Sequence, residues 1–152
     1  MEFSKNGLEL LKQLEGFRAK TYRDSAGVLT VGYGHVVKRG DGIPDGDVIS
    51  TIKAEEMLKQ DIQDAVDCVN EAVISPLTQN QFDALVIFVY NVGANAFHHS
   101  YMLQMLNKPD YEAAANQFPK WNKVRNKGMY VELAGLTNRR KAEQELFLKK
   151  KE

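Results

Sequence analysis

The chain has 152 residues, enough for one compact domain with a substantial core or, at most, two small lobes. Hydrophobic residues make up 43% and charged residues 26%, a balance that excludes a disordered or fibrous protein. Lys+Arg and Asp+Glu each total 20, so no global field draws the protein to nucleic acid, anionic lipid or an anionic polymer, and any such binding rests on local patches.

The only evident basic run, Lys149, Lys150 and Lys151, reads as a solvated tail. Cys68 is the only cysteine, which excludes an intramolecular disulfide and a thiolate zinc cluster. The N-terminal stretch MEFSKNGLELLKQLEG is amphipathic. It lacks both the apolar run of a signal peptide and the roughly 20 apolar residues of a membrane anchor, so accumulation in the cytoplasm is expected.

In chain order, Ser4 to Glu15 reads as a short helix with Ser4 as cap and Leu8, Leu11 and Leu14 as its apolar stripe. Gly16 suits the left-handed position past its end. Glu15 then sits at a helix C-terminus, where the helix dipole disfavours the ionised form of a carboxyl. From Arg18 to Val37, short β-branched and aromatic runs separated by Asp24-Ser25-Ala26-Gly27 and by the glycines around Tyr33 predict a small antiparallel sheet with tight turns. Lys38 to Asp47 is a loop of turn formers with nothing catalytic in it.

Ser50 or Thr51 caps one long helix to about Ala72, which at about 1.5 Å per residue spans roughly 30 Å and would connect two lobes. Cys68 near its end reads as a small packing residue. After Pro76, Thr78-Gln79-Asn80-Gln81 forms a capping box. The run FDALVIFVYNVG behind it is apolar nearly all round, as in a buried central helix ended by Gly93. Short helices follow at Ala94–His98, at Tyr101–Leu106 capped by Ser100, and at Tyr111–Phe118 capped by Asp110. Trp121, Gly128 and Gly135 read as a loop, and a last helix from Thr137 or Asn138 to about Lys149 buries Leu146 and Phe147.

The most specific chemistry lies between Leu14 and His35. Hydrolysis of a glycosidic bond needs a protonated carboxyl for the leaving oxygen and a second group across the sugar. Glu15 suits the first role by its helix-end position. Asp24, among turn N–H groups, suits the ionised second role, and Thr30 on the following strand can hold a water with it. An arbitrary Glu/Asp pair in a turn is usually structural. The surrounding glycines, which allow close backbone approach, weigh toward a site.

The run EGFRAKTYRDSAGVLTVGYGH closely resembles the signature of phage-type lysozymes, glycoside hydrolase family 24. Further matches lie in FDALVIFVYNVGANAFHHSYMLQMLN and in Trp121, Gly128, Gly135-Leu136 and NRRKAEQELF, so the likeness covers essentially the whole chain. It implies an α+β, mainly helical, lysozyme-like two-lobed fold over residues 1–152. A small sheet lobe (about 14–60, its first helix packing on the other lobe) would be joined by the long helix (about 51–72) to a helical lobe (about 73–152). It implies a muramidase cutting the β-1,4 bond between N-acetylmuramic acid and N-acetylglucosamine in peptidoglycan, for host cell lysis. Glu15 would be the general acid, with Asp24 and Thr30 the pair that activates or positions water.

The same resemblance suggests that His35 pairs structurally with Asp61, and that Val36, Tyr90, Ser100 and Asn138 line the glycan subsites. No cofactor and no metal are implied, and adjacent His98 and His99 would diverge on a helix. The expected partners are peptidoglycan strands only, with no nucleic acid and no stable membrane insertion. The protein would be a monomer in the phage-infected or lysogenic host's cytoplasm, dependent on a separate holin for release. Trp121 reads as core of the helical lobe and Arg139-Arg140 as a salt-bridged surface. Relatives of this kind are often basic, whereas this chain is neutral. Two rival readings are a lytic transglycosylase, which needs no activated water, and a non-catalytic peptidoglycan-binding module. The resemblance favours inversion or water attack, and the choice between inversion and retention rests on a carboxyl separation that sequence does not supply.

Overall fold

The computed structural model describes residues 1–150, so Lys151 of the basic tail lies outside the described residues. The chain divides into two compact units, Leu8–Gln63 and Met1–Gly7 with Asp64 onward.

The first unit begins within α1 (Lys5–Glu15). Its buried residues Leu8 and Leu11 recur at helical spacing. Gly16, with φ of +72°, ends the helix, its N–H donating to the Lys12 carbonyl. Strands β1 (Arg18–Arg23), β2 (Leu29–Gly32) and β3 (His35–Val36) then form an antiparallel sheet in sequence order. Thr30 sits opposite Tyr22 on one side and Val36 on the other, and the register shifts between Arg18 and Tyr22. Helix α2 (Thr51–Asp61), capped by the Ser50 hydroxyl, packs on β2 and β3 over a core of Val31, Ile43, Ile49 and Ala54. Gly32 has no room to spare there, since a Cβ on it would lie 3.1 Å from that of Ala54.

The helix expected to run unbroken from about 51 to 72 is two helices. Ile62, at ψ −9°, separates α2 from α3 (Gln63–Ala72), although its N–H still donates to the Leu58 carbonyl. The interruption is one residue long.

In the second unit the capping box at Thr78 and Gln81 opens α4 (Gln79–Val92), and every residue from Phe82 to Val89 is buried. Helices α5 (Ala94–His98), α6 (Tyr101–Asn107) and α7 (Tyr111–Ala115), a 3-10 turn (Phe118–Lys120) and α8 (Ala134–Leu148) surround it. The Phe88 ring meets Phe97, Phe118 and Trp121 edge-on at 5.3–6.5 Å between centroids, the offset geometry that aromatic quadrupoles favour. Trp121 is half-buried against this core.

Two sequence expectations change here. The stretch after Trp121 is a hairpin of β4 (Lys123–Asn126) and β5 (Met129–Glu132), turned by Lys127 and Gly128, both at positive φ. The last helix begins at Ala134, because the Thr137 hydroxyl bonds backward to the Leu133 carbonyl at 3.2 Å instead of capping forward.

Arg139 and Arg140 are also not surface residues. Arg139 is 8% exposed, and Arg140 and Glu143 are fully buried. Arg140 lies 2.9 Å from Glu143, has its guanidinium 5.0 Å from the Phe88 ring centroid, and donates to Asn91. Burial draws its pKa down while Glu143 opposes the shift. Such a pair is costly to form and still costlier to break.

The buried carboxylate of Asp83 accepts from the Ser4 N–H at 3.1 Å, from the Ser4 hydroxyl and from the Gln79 amide at 2.8 Å, joining the start of α1 to α4. Gly7 passes so close that a Cβ would lie 2.8 Å from both Asp83 Cγ and Phe3 Cε1. Gly7→Ala is therefore expected to destabilise the protein by about 1–3 kcal/mol in urea unfolding, whatever helix propensity it gains. Gly135→Ala in α8, where a Cβ meets nothing within 4 Å, is expected to be neutral or mildly stabilising.

Candidate active site

Glu15 is the last residue of α1, and its position follows from the glycine stop behind it. Its Oε1 lies 3.0 Å from where a Cβ on Gly34 would be, so the carboxyl rests on the β2–β3 turn in a space that only glycine leaves open. Around it, the Phe17 and Tyr33 rings meet at a tilt of 51° with centroids 5.3 Å apart, and Lys12 lies 5.9 Å from the Tyr33 ring centroid while bonding Glu55 of α2 and, at 3.2 Å, Glu9. The hydrogen bond to Glu55 is the chief reason the Lys12 pKa is raised.

Asp24 closes the β1–β2 turn. Its Oδ1 accepts from the Ala26 N–H at 2.8 Å and the Val28 N–H at 2.9 Å. Its own N–H donates to the Val28 carbonyl at 3.0 Å. Thr30 is 4% exposed in the central strand, and its hydroxyl donates to that same carbonyl at 2.9 Å. Val28 thus serves both residues, one through its N–H and the other through its C=O. With its proton committed to Val28, the Thr30 oxygen can only accept from a further partner. The Asp24 carboxylate, with two turn N–H groups on Oδ1, has Oδ2 available to accept as well.

His35 is 2.7 Å from Asp61 through Nδ1 and 2.9 Å from Asp41 through Nε2. Both carboxylates accept when ionised, so both ring nitrogens must donate, which defines the imidazolium. Burial is the largest single influence on His35 and pulls its pKa down, but the hydrogen bonds and charges of Asp41 and Asp61 together raise it. Asp41 moves the opposite way, lowered first by the Lys38 N–H and then by His35. The Asp41 partner was hidden in a loop that reads as turn formers alone. The signal available was an aspartate six residues past a histidine that leaves a sheet.

The expected glycan-contacting residues fare differently. Val36 is 45% exposed as the cross-strand neighbour of Thr30. Tyr90 is half-buried against the helical core, and Asn138 is exposed. Ser100 is buried, accepting from the Leu103 N–H at 3.1 Å and donating to the Phe97 carbonyl at 2.7 Å. That makes it the cap of α6, with its proton committed to Phe97.

The description "Phage lysozyme" belongs to the family model that matches residues 12–143. The chain is 42% identical to the endolysin of Acyrthosiphon pisum secondary endosymbiont phage 1, over 97% of this chain and 98% of that one. The endolysin from Escherichia coli O157:H7 phage FAHEc1 superposes with a TM-score of 0.92 at 38% identity, covering 97% of this chain and 94% of the other. The muramidase domain of SpmX from Asticaccaulis excentricus gives a TM-score of 0.90 at 36% identity, with 98% and 99% covered.

The histidine clamp sets a pH window. A raised His35 pKa adds stability that is complete below its ordinary 6.5 and lost as pH rises through the folded value. A lowered Asp41 pKa adds stability present above its ordinary 3.8 and lost as pH falls through its folded value. Melting temperature is expected to peak between these limits. His35→Asn should flatten the alkaline side of the profile and cost about 1–3 kcal/mol near pH 5.5, read by calorimetry across pH.

Proposed function

This chain belongs to the phage lysozyme family, and we propose that within it the protein is a muramidase that hydrolyses the β-1,4 bond between N-acetylmuramic acid and N-acetylglucosamine. The family is peptidoglycan-lytic. The main support for the muramidase reading is the Val28 backbone, whose N–H donates to Asp24 and whose carbonyl accepts from Thr30.

A water that donates one hydrogen to Asp24 Oδ2 and the other to Thr30 Oγ1 keeps its lone pair free for the anomeric carbon. As the C–O bond forms, Asp24 takes the proton; as the glycosidic bond breaks, Glu15 gives its proton to the leaving oxygen. The turn N–H groups that fix Asp24 Oδ1 hold the base in place, so little reorganisation accompanies the reaction. Val36, Tyr90, Ser100 and Asn138 are proposed to contact the glycan. The muramidase name of the SpmX domain, at 36% identity, supports the same bond specificity.

In this reading the enzyme acts as a monomer without a cofactor and lyses the host from the cytoplasm once a separate holin opens the membrane. Among the described residues, no helix is long and apolar enough to cross a membrane.

Glu15→Gln and Asp24→Asn are each expected to lower kcat/KM on purified peptidoglycan about 10²–10⁴-fold with the thermal transition retained. Thr30→Val should lose activity, and Thr30→Ser should recover much of it. Mass spectrometry of the digest should show reducing N-acetylmuramic acid ends; anhydro-muramyl ends would instead make the protein a lytic transglycosylase.

A further inference from the structure

Two turn N–H groups hold the Asp24 carboxylate, and one of them belongs to a peptide that is itself held from its other side. The peptide between Gly27 and Val28 is planar, so its N–H and its carbonyl point in opposite directions and move as one body. The N–H donates to Asp24 Oδ1 at 2.9 Å. The carbonyl, that of Gly27, accepts from Arg23 Nη1 at 3.3 Å. Gly27 has a φ of +79°, and a Cβ on it would meet nothing within 4 Å, so packing does little to orient this peptide and hydrogen bonds are left to do so.

Arg23 is fixed in turn from the outer edge of β1. Its Nη2 lies 3.3 Å from Asp45 Oδ2. The other oxygen of that carboxylate lies 3.5 Å from the hydroxyl of the buried Thr21, which accepts from the Gly46 N–H at 2.6 Å. The Thr21 N–H donates to the Asp47 carbonyl and the Ile49 N–H to the Ala19 carbonyl, which lays 45–49 along β1 and presents Asp45 to Arg23. One series therefore runs from Asp45 through the Arg23 guanidinium and a single peptide plane to Asp24 Oδ1. A cation on the carbonyl polarises the plane and makes its N–H a better donor, so each bond in the series strengthens the next.

We propose that Arg23 is a positioning residue for the reaction: by holding the Gly27 carbonyl it aims the Val28 N–H at Asp24 and keeps Oδ2 turned toward the attacking water, with Asp45 as its anchor. The assignment rests on the reading of Asp24 as the base. The side chains of Arg23 and Asp45 are 59% and 67% exposed, so their ion pair adds little to stability, and its effect lies in where the Asp24 carboxylate points. Asp45 thereby gives the 38–47 loop, a run of turn formers by sequence, a part in the chemistry.

The test combines turnover of purified peptidoglycan with the Val28 amide resonance read by NMR on the full chain. R23Q is expected to lower kcat about two- to fivefold with KM and melting temperature unchanged, D45N to do the same more weakly, and R23Q/D45N to lose no more than R23Q. R23K, which keeps a cationic donor, should recover much of the loss. The Val28 amide should move upfield in D24N, where its acceptor carries no charge, part of the way in R23Q, and least in R23K. Wild-type kcat in R23Q, a rise in KM with kcat intact, R23K no better than R23Q, additive losses in the double variant, or an unmoved Val28 amide in R23Q would each overturn the assignment. Full activity in D24N would instead sink the reading of Asp24 as the base; the Val28 amide, read without turnover, tells the two failures apart.

Discussion

A strand of two residues cannot hold its own place in a sheet, and β3 is fixed by charge. His35 donates to Asp61 at the end of α2 and to Asp41 in the following loop, so one imidazolium ties the sheet edge to a helix and to an otherwise irregular segment. Val31, Ile43, Ile49 and Ala54 fill the space beneath, but they form a small core. Register matters there, because β3 pairs with β2 at Val36 and Thr30, and a slip would turn Thr30 to the other face. The position of the Thr30 hydroxyl therefore depends on a titrating side chain in the neighbouring strand.

The helical unit solves a different problem. Its core is large and aromatic, and apolar burial along α4 can supply most of its stability. Into this core α8 brings Arg140 and Glu143, both fully buried. A paired buried charge contributes little net stability in comparison with apolar side chains of similar volume. What this one does is orient: Arg140 fixes the Asn91 amide at the end of α4 and lies against Phe88. A cost accepted in the core thereby sets a donor at the surface, beside the exposed hairpin.

The two units divide the chemistry in a consistent way. Glu15, Asp24 and Thr30 all come from a single stretch of chain, so their geometry is local and is set by turns and strand pairing. The Asn91 amide is instead set by Arg140, 49 residues away in the chain, and so depends on tertiary packing. The local arrangement is in place once the turns and strands form, whereas the dispersed one exists only after the helices have packed.

The sequence alone determined the elements whose signals are local. Ser4, Ser50, Ser100 and Asp110 announce helix starts because a short polar side chain can reach back to the first free N–H groups, and each does so here. Glycines mark the turns around Asp24 and Tyr33, and the lysozyme-type signature marks the stretch that holds the three candidate catalytic residues. The hairpin after Trp121 escaped because its strands are exposed, so no apolar alternation announces them, and its Lys-Gly turn is a weak form of the usual Asn-Gly signal. The start of α8 escaped because Thr137 looks like a cap but bonds backward. Only the tertiary structure revealed that Arg139 and Arg140 are buried and that His35 has a second carboxylate partner in Asp41. Those outcomes depend on groups far apart in the chain, and a charged or polar residue carries no mark in sequence of whether its partner will be water or another side chain.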